Sequence, residues 1–362
     1  MIGQSNRIFK NIADLHKQNK ELKNLAKYFC ILIAALLPVT LSAQRGGEAT
    51  YMLLHLTHSS KIASLGGNQV GVAGNDLSIL LHNPALLDSA FTKQVSLSYV
   101  PYLADINYGY AGGAWHFEGI GTFALGFGHI GYGDFIAADE SGVQTGGFSA
   151  GESMIQISYS RRLNRHFTAG ASLKPVFSRI EGYSSWGIAG DLGLRYESNN
   201  KLFSAGISLR NFGRQISSYS SAPAESLPAD LQIGLSQKLA HAPFRLSLSA
   251  QDLLSGALSY TLKETDRPGA AYENDKENNA EKVLRHLTFG LEFIPSNNFY
   301  IAGGLNPRRR ADLKTESKAS TVGFTWGFGF KVYKFNFAYA SGRYHLAGTS
   351  NHFTVSTNIS SF

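Results

Sequence analysis

Cysteine is almost missing from this chain of 362 residues; the one present is Cys30. Without paired thiols there is no disulfide framework and no thiol chemistry. Charge is scarce too, at 16% Asp, Glu, Lys and Arg, against about 25% in soluble domains. A soluble surface of this size usually carries more. Long apolar runs are also lacking. Nothing reaches the roughly 18 to 20 apolar residues of a spanning helix. No G-x-S-x-G nucleophile elbow occurs, and no P-loop pattern. His55 and His58 stand three apart with no third ligand placed to complete a metal shell. No motif is therefore present to carry catalysis, nucleotide chemistry or a metal site, and no cofactor is expected.

The longest apolar run, residues 28–41, follows Lys20, Lys23 and Lys27 and precedes Leu41-Ser42-Ala43. A basic flank, a short apolar stretch and small residues at the end form a secretory signal peptide. Residues 1–43 are read as a basic leader plus signal peptide. The basic segment is unusually long, and a start site set too far upstream is one explanation. Cys30 leaves with the leader, and Ala26-Lys27-Tyr28-Phe29 before it is no lipobox. Removing the leader leaves 27 Lys and Arg against 24 Asp and Glu, so the formal charge falls from +7 to +3. The basic pI is then mostly a property of the leader, and nucleic-acid binding is not implied.

What the chain has in quantity is alternation. In residues 322–332, VGFTWGFGFKV, every second side chain is large and apolar, and those between are small or polar. Strand side chains alternate between faces, so one face is a continuous apolar band. Ten steps of about 3.3 Å, tilted by about 40°, give roughly 25 Å of height, that of an outer-membrane barrel. The same period of two predicts fourteen strands, including faces at Val95, Leu97, Tyr99 on the first and Ile106, Tyr108, Tyr110 on the second. The last carries Phe353, Val355 and Ile359.

Connections sort by length. After even-numbered strands they are short, as at Glu118-Gly119-Ile120 and Asn164-Arg165. After odd-numbered strands many are long and polar: residues 132–152, 211–229, 253–283, 307–320 and 342–351. Short turns on one rim, long loops on the other and an even strand count describe a transmembrane antiparallel β-barrel. Residues 94–362 are assigned to it. Many positions facing its interior are small, such as Gly126, Gly128, Ser172, Gly190, Gly193, Ser247 and Ser249. They leave room inside. Residues 44–93 have apolar clusters without sustained alternation and are read as an N-terminal hatch in the lumen; the competing reading is a periplasmic lead-in.

SLGGNQVGVAGND followed by Asn83-Pro84-Ala85 resembles the N-terminal region of the FadL-like outer-membrane barrels. That resemblance implies fourteen strands, an N-terminal hatch and a place in the outer membrane. The stretches YLADINYG, KLAHAPFRLSL, LRHLTFGLEFIPSNNFY and RYHLAGTSNHFTVSTN resemble the PorV/FadL-like branch of the type IX secretion system of Bacteroidetes, in order along the mature chain. This branch implies membership of the attachment complex at the cell surface. The expected partners are a PorZ-like surface protein, with PorU and PorV-like members nearby, and lipopolysaccharide as the molecule to which cargo is joined. The rival on the same fold is a FadL-like transporter of hydrophobic small molecules, and fold does not choose between them.

Four further features stand out. Arg308-Arg309-Arg310 lies on an expected outer loop, where guanidinium groups suit lipid phosphates or a partner, although a solvated charge run has the same appearance. Residues 253–283 carry mixed charge at a length suited to docking or to a disordered lid. Asp139 and Glu140 form a solvated pair. The terminal Phe362 resembles a barrel-assembly signal, except that Ser360 and Asn358 hold the parity expected to be apolar. A bulge or a terminal kink would restore the phase.

Overall fold

The computed structural model describes residues 50–362, apart from 73, 75, 104, 221–223, 226, 256–277, 314–320, 346 and 347. The leader, with Cys30, and most of residues 253–283 lie outside the described residues. Fourteen strands follow in order: β1 (Gln94–Pro101), β2 (Asn107–Phe117), β3 (Gly121–Ala138), β4 (Gln144–Arg162), β5 (Phe167–Ile180), β6 (Tyr183–Glu197) and β7 (Phe203–Ser217). Then come β8 (Asp230–Lys238), β9 (Phe244–Ala250), β10 (Leu287–Ser296), β11 (Phe299–Leu305), β12 (Phe324–Val332), β13 (Phe335–His345) and β14 (Gly348–Asn358). Each pairs antiparallel with its neighbours, and β1 pairs with β14 from Gln94↔Asn358 to Tyr99↔Phe353. Closure is what lipid requires. With no water to satisfy backbone N–H and C=O groups, an open edge cannot stand in hydrocarbon.

The apolar face points outward. Leu97, Leu125, Leu246 and Trp326 are 61, 54, 52 and 53% exposed, although each lies within a paired strand. On β12 to β14 the outward face is aromatic: Phe330 stacks on Phe337 at 5.4 Å, and Tyr339 meets Phe353 at 5.3 Å. The opposite face is buried and polar, with Ser158, Ser172, Gln232, Ser249 and Thr354 among its members.

Four expectations need correction. The large residues of β2 face the lumen: Tyr108 and Tyr110 are buried, and Trp115 and Phe117 are the outward aromatics. His58 explains this, because its ring stacks on Tyr110 at 3.7 Å and meets Tyr108 edge-on at 5.8 Å. Val322 is buried in the turn before β12, which begins at Phe324. Residues 132–152 and 342–351 are largely strand, because β3–β4 and β13–β14 continue as hairpins past the membrane length. With 18 residues in β3, against about 9 to 11 needed to cross, that hairpin stands well above the wall. Residues 211–217 likewise extend β7.

The terminal phase problem is resolved by a kink. Strand β14 stops at Asn358, whose side chain accepts from Ser360 N at 2.9 Å and caps a 3-10 turn, Ile359–Ser361. The turn swings Phe362 against outward-facing Phe335 at 5.8 Å.

A lipid-facing charge tests the orientation. Replacing Phe328, midway along β12, with Arg is expected to cost about 2–4 kcal/mol in urea unfolding from lipid vesicles. The same change at Thr325, on the inner face, would be governed by the packed interior and should instead disturb the segment lying there.

Candidate functional site

The apolar core forms where the segment that precedes the barrel packs on the inner wall. Leu53, Leu54, Ile62, Leu77, Leu80 and Phe91 are buried, packing on short turns: Met52–Leu54, Leu77–Leu81, Pro84–Leu86 and Ser89–Phe91, with helix α1 at Ser60–Ser64. These pieces are too short to bury a core alone, so their backbones bond to the inner wall. Ser60 Oγ pairs with Thr354 Oγ1 on β14 at 2.8 Å. Gly66 N donates to Thr325 Oγ1 on β12 at 3.0 Å. Leu53 N donates to Glu152 on β4 at 2.9 Å, and Ser160 Oγ donates to Leu87 O at 2.5 Å. Contacts on opposite walls place residues 50–92 inside the lumen.

Asn83-Pro84-Ala85 sits at one of the closest approaches of the segment to the wall. Asn83 Oδ1 accepts from Ala85 N at 2.9 Å, and its Nδ2 donates to Val70 O at 3.0 Å, so one amide joins two parts of the segment. Pro84 opens the following turn, where its missing N–H costs nothing. The wall beneath is bare. A Cβ at Gly170 would lie 2.5 Å from the Pro84 carbonyl carbon, and one at Gly193 would strike Asn83 Oδ1. Gly170 and Gly193 are directly paired across β5 and β6. Glycine is required here for close approach of two backbones. Of the other small inward positions, Gly126 accommodates the Tyr110 ring and Gly190 that of Phe212, while Ser249 bonds to Gln69 at 2.9 Å.

Two buried charge groups flank the segment. Lys61 on α1 pairs with Glu292 on β10, which also takes Arg245 at 3.5 Å, and Lys61 Nζ lies 3.6 Å from the Tyr300 ring centre. Across the lumen Lys174 pairs with Asp191 at 2.6 Å and donates to Asn211 at 2.5 Å. Asn211 donates in turn to Leu54 O at 3.2 Å. Sequence spacing gave no hint of either group: Lys61 and Glu292 are 231 residues apart, while Lys174 and Asp191 meet across the neighbouring strands β5 and β6.

The arginine run does not converge on one point. It occupies helix α3 (Pro307–Asp312), beside helix α2 (Asn279–His286). Arg308 pairs with Asp252 and, at 3.6 Å, with Asp312, while Arg310 lies 5.3 Å from the Phe324 ring. Burial and nearby Asp230 push the Asp252 carboxyl up to about 6, with Arg308 pulling the other way. Asp139 organises the tip of the β3–β4 hairpin, accepting from Ser141 Oγ at 2.7 Å and Val143 N at 2.9 Å. Among the described residues, no three His, Cys, Asp or Glu side chains gather to hold an ion.

A furrow of about 660 Å³ crosses the outer wall from Phe203 on β7 to Phe324 on β12. Its floor is the paired backbone at Ser236, Ser247, Gly290 and Gly304, and the hatch presses on the other side. Leu65 lies behind Gly290 and Gly66 behind Gly304. The ladder is unbroken there.

A closed fourteen-strand barrel, apolar outside and filled inside, is an integral β-barrel of the outer membrane. No family model and no curated protein matches the chain. Among solved structures it is similar to the Pseudomonas putida toluene transporter TodX, at 14% identity and a TM-score of 0.48, over 82% of this chain and 95% of that one. A TodX monoaromatic hydrocarbon channel mutant, deltaS2, gives 14%, 0.49, 83% and 97%. A Pseudomonas aeruginosa FadL homologue gives 9%, 0.43, 82% and 98%. These likenesses concern the fold alone.

Three outcomes test the site. Glu292→Gln leaves buried Lys61 without the carboxylate it pairs with and should cost about 3–5 kcal/mol in urea unfolding. Gly193→Leu should loosen the hatch while the barrel stays closed. Trypsin would then cut at Lys61, and planar bilayers would show conductance that the wild type lacks. For Asp252 the folded carboxyl holds its proton more tightly than the unfolded one, whose value is 3.8. Its contribution to stability is therefore greatest at low pH and is lost as pH rises through about 6. Melting temperatures of wild type and Asp252→Asn between pH 4 and 7 should show that dependence only in the wild type.

Proposed function

We propose that this protein is a non-enzymatic anchor in the outer membrane, a PorQ-like component of the type IX attachment complex that presents its loop rim to a PorZ-like surface protein. PorU and PorV-like members would act beside it, joining cargo to lipopolysaccharide. The observation that carries the reading is the filled lumen. A segment tied to opposite walls, with a buried ion-pair group on either side, suits a fixed scaffold better than an open pore. The whole-chain sequence resemblance supports the finer assignment. So does the tall β3–β4 hairpin, whose Ile136 and Val143 are 69 and 60% exposed above the membrane.

A second reading has its own observation. The furrow between β8 and β12 is apolar and is separated from the hatch by a wall that is glycine at Gly234, Gly290 and Gly304. A thin wall of that kind would suit a FadL-like transporter of hydrophobic small molecules, the activity named for TodX.

Co-purification in gentle detergent separates the two. Deleting residues 253–283 should weaken capture of the surface partner while heat-modifiable migration of the barrel persists. Unchanged capture counts against the anchor. A defect in hydrocarbon uptake in a deletion strain, with partner capture intact, would favour transport.

A further inference from the structure

The furrow in the outer wall has a property that neither reading uses. It lies between two outward rows, one through Gln237, Leu246, Leu291 and Gly303, the other through Leu235, Leu248, Phe289 and Leu305. It crosses six strands from β7 to β12, so it spans five spacings of about 4.8 Å, or roughly 24 Å. Phe203 begins β7 at the short-turn rim, whereas Phe324 begins β12 at the loop rim. The furrow therefore runs obliquely through the depth of the membrane and ends at the outer leaflet. Gly303 is an outward position without a side chain, and it deepens the furrow next to Leu305.

Its upper end is basic. Phe324, the last furrow residue on that side, lies under the Arg310 guanidinium, 5.3 Å from ring centre to Cζ. Among the described residues, helices α2 and α3 above it carry Lys282, Arg285, Arg308, Arg309 and Arg310; Asp312 pairs with Arg285 and Asp252 with Arg308, and Glu281 is the other carboxylate on the two helices. An apolar channel long enough for an acyl chain, capped at the leaflet surface by an excess of cations, has the polarity of one amphiphile. We propose that this furrow is a binding site for a single lipid of the outer leaflet whose phosphate-bearing headgroup is net anionic, with an acyl chain along β8–β12 and its phosphate at Arg310. The wall behind is closed by a continuous ladder, so the lipid stays on the surface and does not pass inward.

Two substitutions address the halves of the site. Gly303→Leu fills the furrow, and its backbone has room, since the nearest atom to a new Cβ is Thr325 O at 3.8 Å. Arg310→Glu reverses the charge at the headgroup end. Gly109→Leu, outward on β2 with nothing within 4 Å of the new Cβ, serves as a control of equal bulk on another part of the wall. The full processed chain is purified in mild detergent and offered equal amounts of lipid A and phosphatidylethanolamine, and retained lipid is read by native mass spectrometry. Wild type and Gly109→Leu should hold one lipid A per barrel in preference to the zwitterionic lipid. Gly303→Leu should lower occupancy at least about tenfold by displacing buried methylenes. Arg310→Glu should abolish the preference for lipid A while the barrel remains heat-modifiable. Equal retention by Gly303→Leu and Gly109→Leu overturns the furrow as the site. A preference for lipid A unchanged by Arg310→Glu overturns the assignment of the phosphate. Both results are independent of partner capture and of hydrocarbon uptake.

Discussion

The inner face of the wall is where this structure is decided. An eight-stranded barrel fills itself with its own side chains, but a ring of fourteen strands encloses more space than its inward residues can occupy. Here many of those residues are glycine or serine, so that the vacancy has a definite shape. Residues 50–92 fit it because Gly170, Gly193 and Gly206 let backbone lie on backbone, at distances any Cβ would forbid. The hatch, lacking long helices or a sheet of its own, completes its hydrogen bonds on the serines and threonines of the strands. Neither part is finished without the other.

Electrostatics follow the same division. Buried charge is costly unless it is paired, and the lumen pairs it across the boundary between hatch and wall, as with Lys61 and Glu292. The effect is to fix where the hatch sits as much as how firmly. Outside the lumen, charge collects on α2 and α3 at the loop rim, above an apolar surface. The protein thus meets three surroundings: a dry polar interior, hydrocarbon, and a charged leaflet surface.

Much of this was legible in the residues, and the exceptions have causes. Fourteen strands were readable because lipid on one side and polar lumen on the other impose a period of two. The period fails to give direction on β2. Tyr108 and Tyr110 look like lipid-facing aromatics, yet they serve His58 inside, while Gly109 and Ala111 occupy the outward positions beside them. Strand ends were misplaced in residues 132–152, since above the membrane both faces of the β3–β4 hairpin meet water and the alternation fades. Val322 continued the pattern of β12 in sequence but is buried in the turn that precedes that strand. The Asn83-Pro84-Ala85 turn could be picked out from the chain, but not that glycines on β5 and β6 receive it.

From sequence alone came the barrel, its strand count, the sorting of loops by rim and a segment without alternation ahead of the first strand. These are properties of periodicity and composition, and solvent imposes them locally along each strand. Tertiary structure decided which residues meet: Lys61 with Glu292, Asn83 over Gly193, Arg310 above Phe324. Such pairings depend on register around a closed ring. That register is set by all the strands together, so no single stretch of the chain carries it.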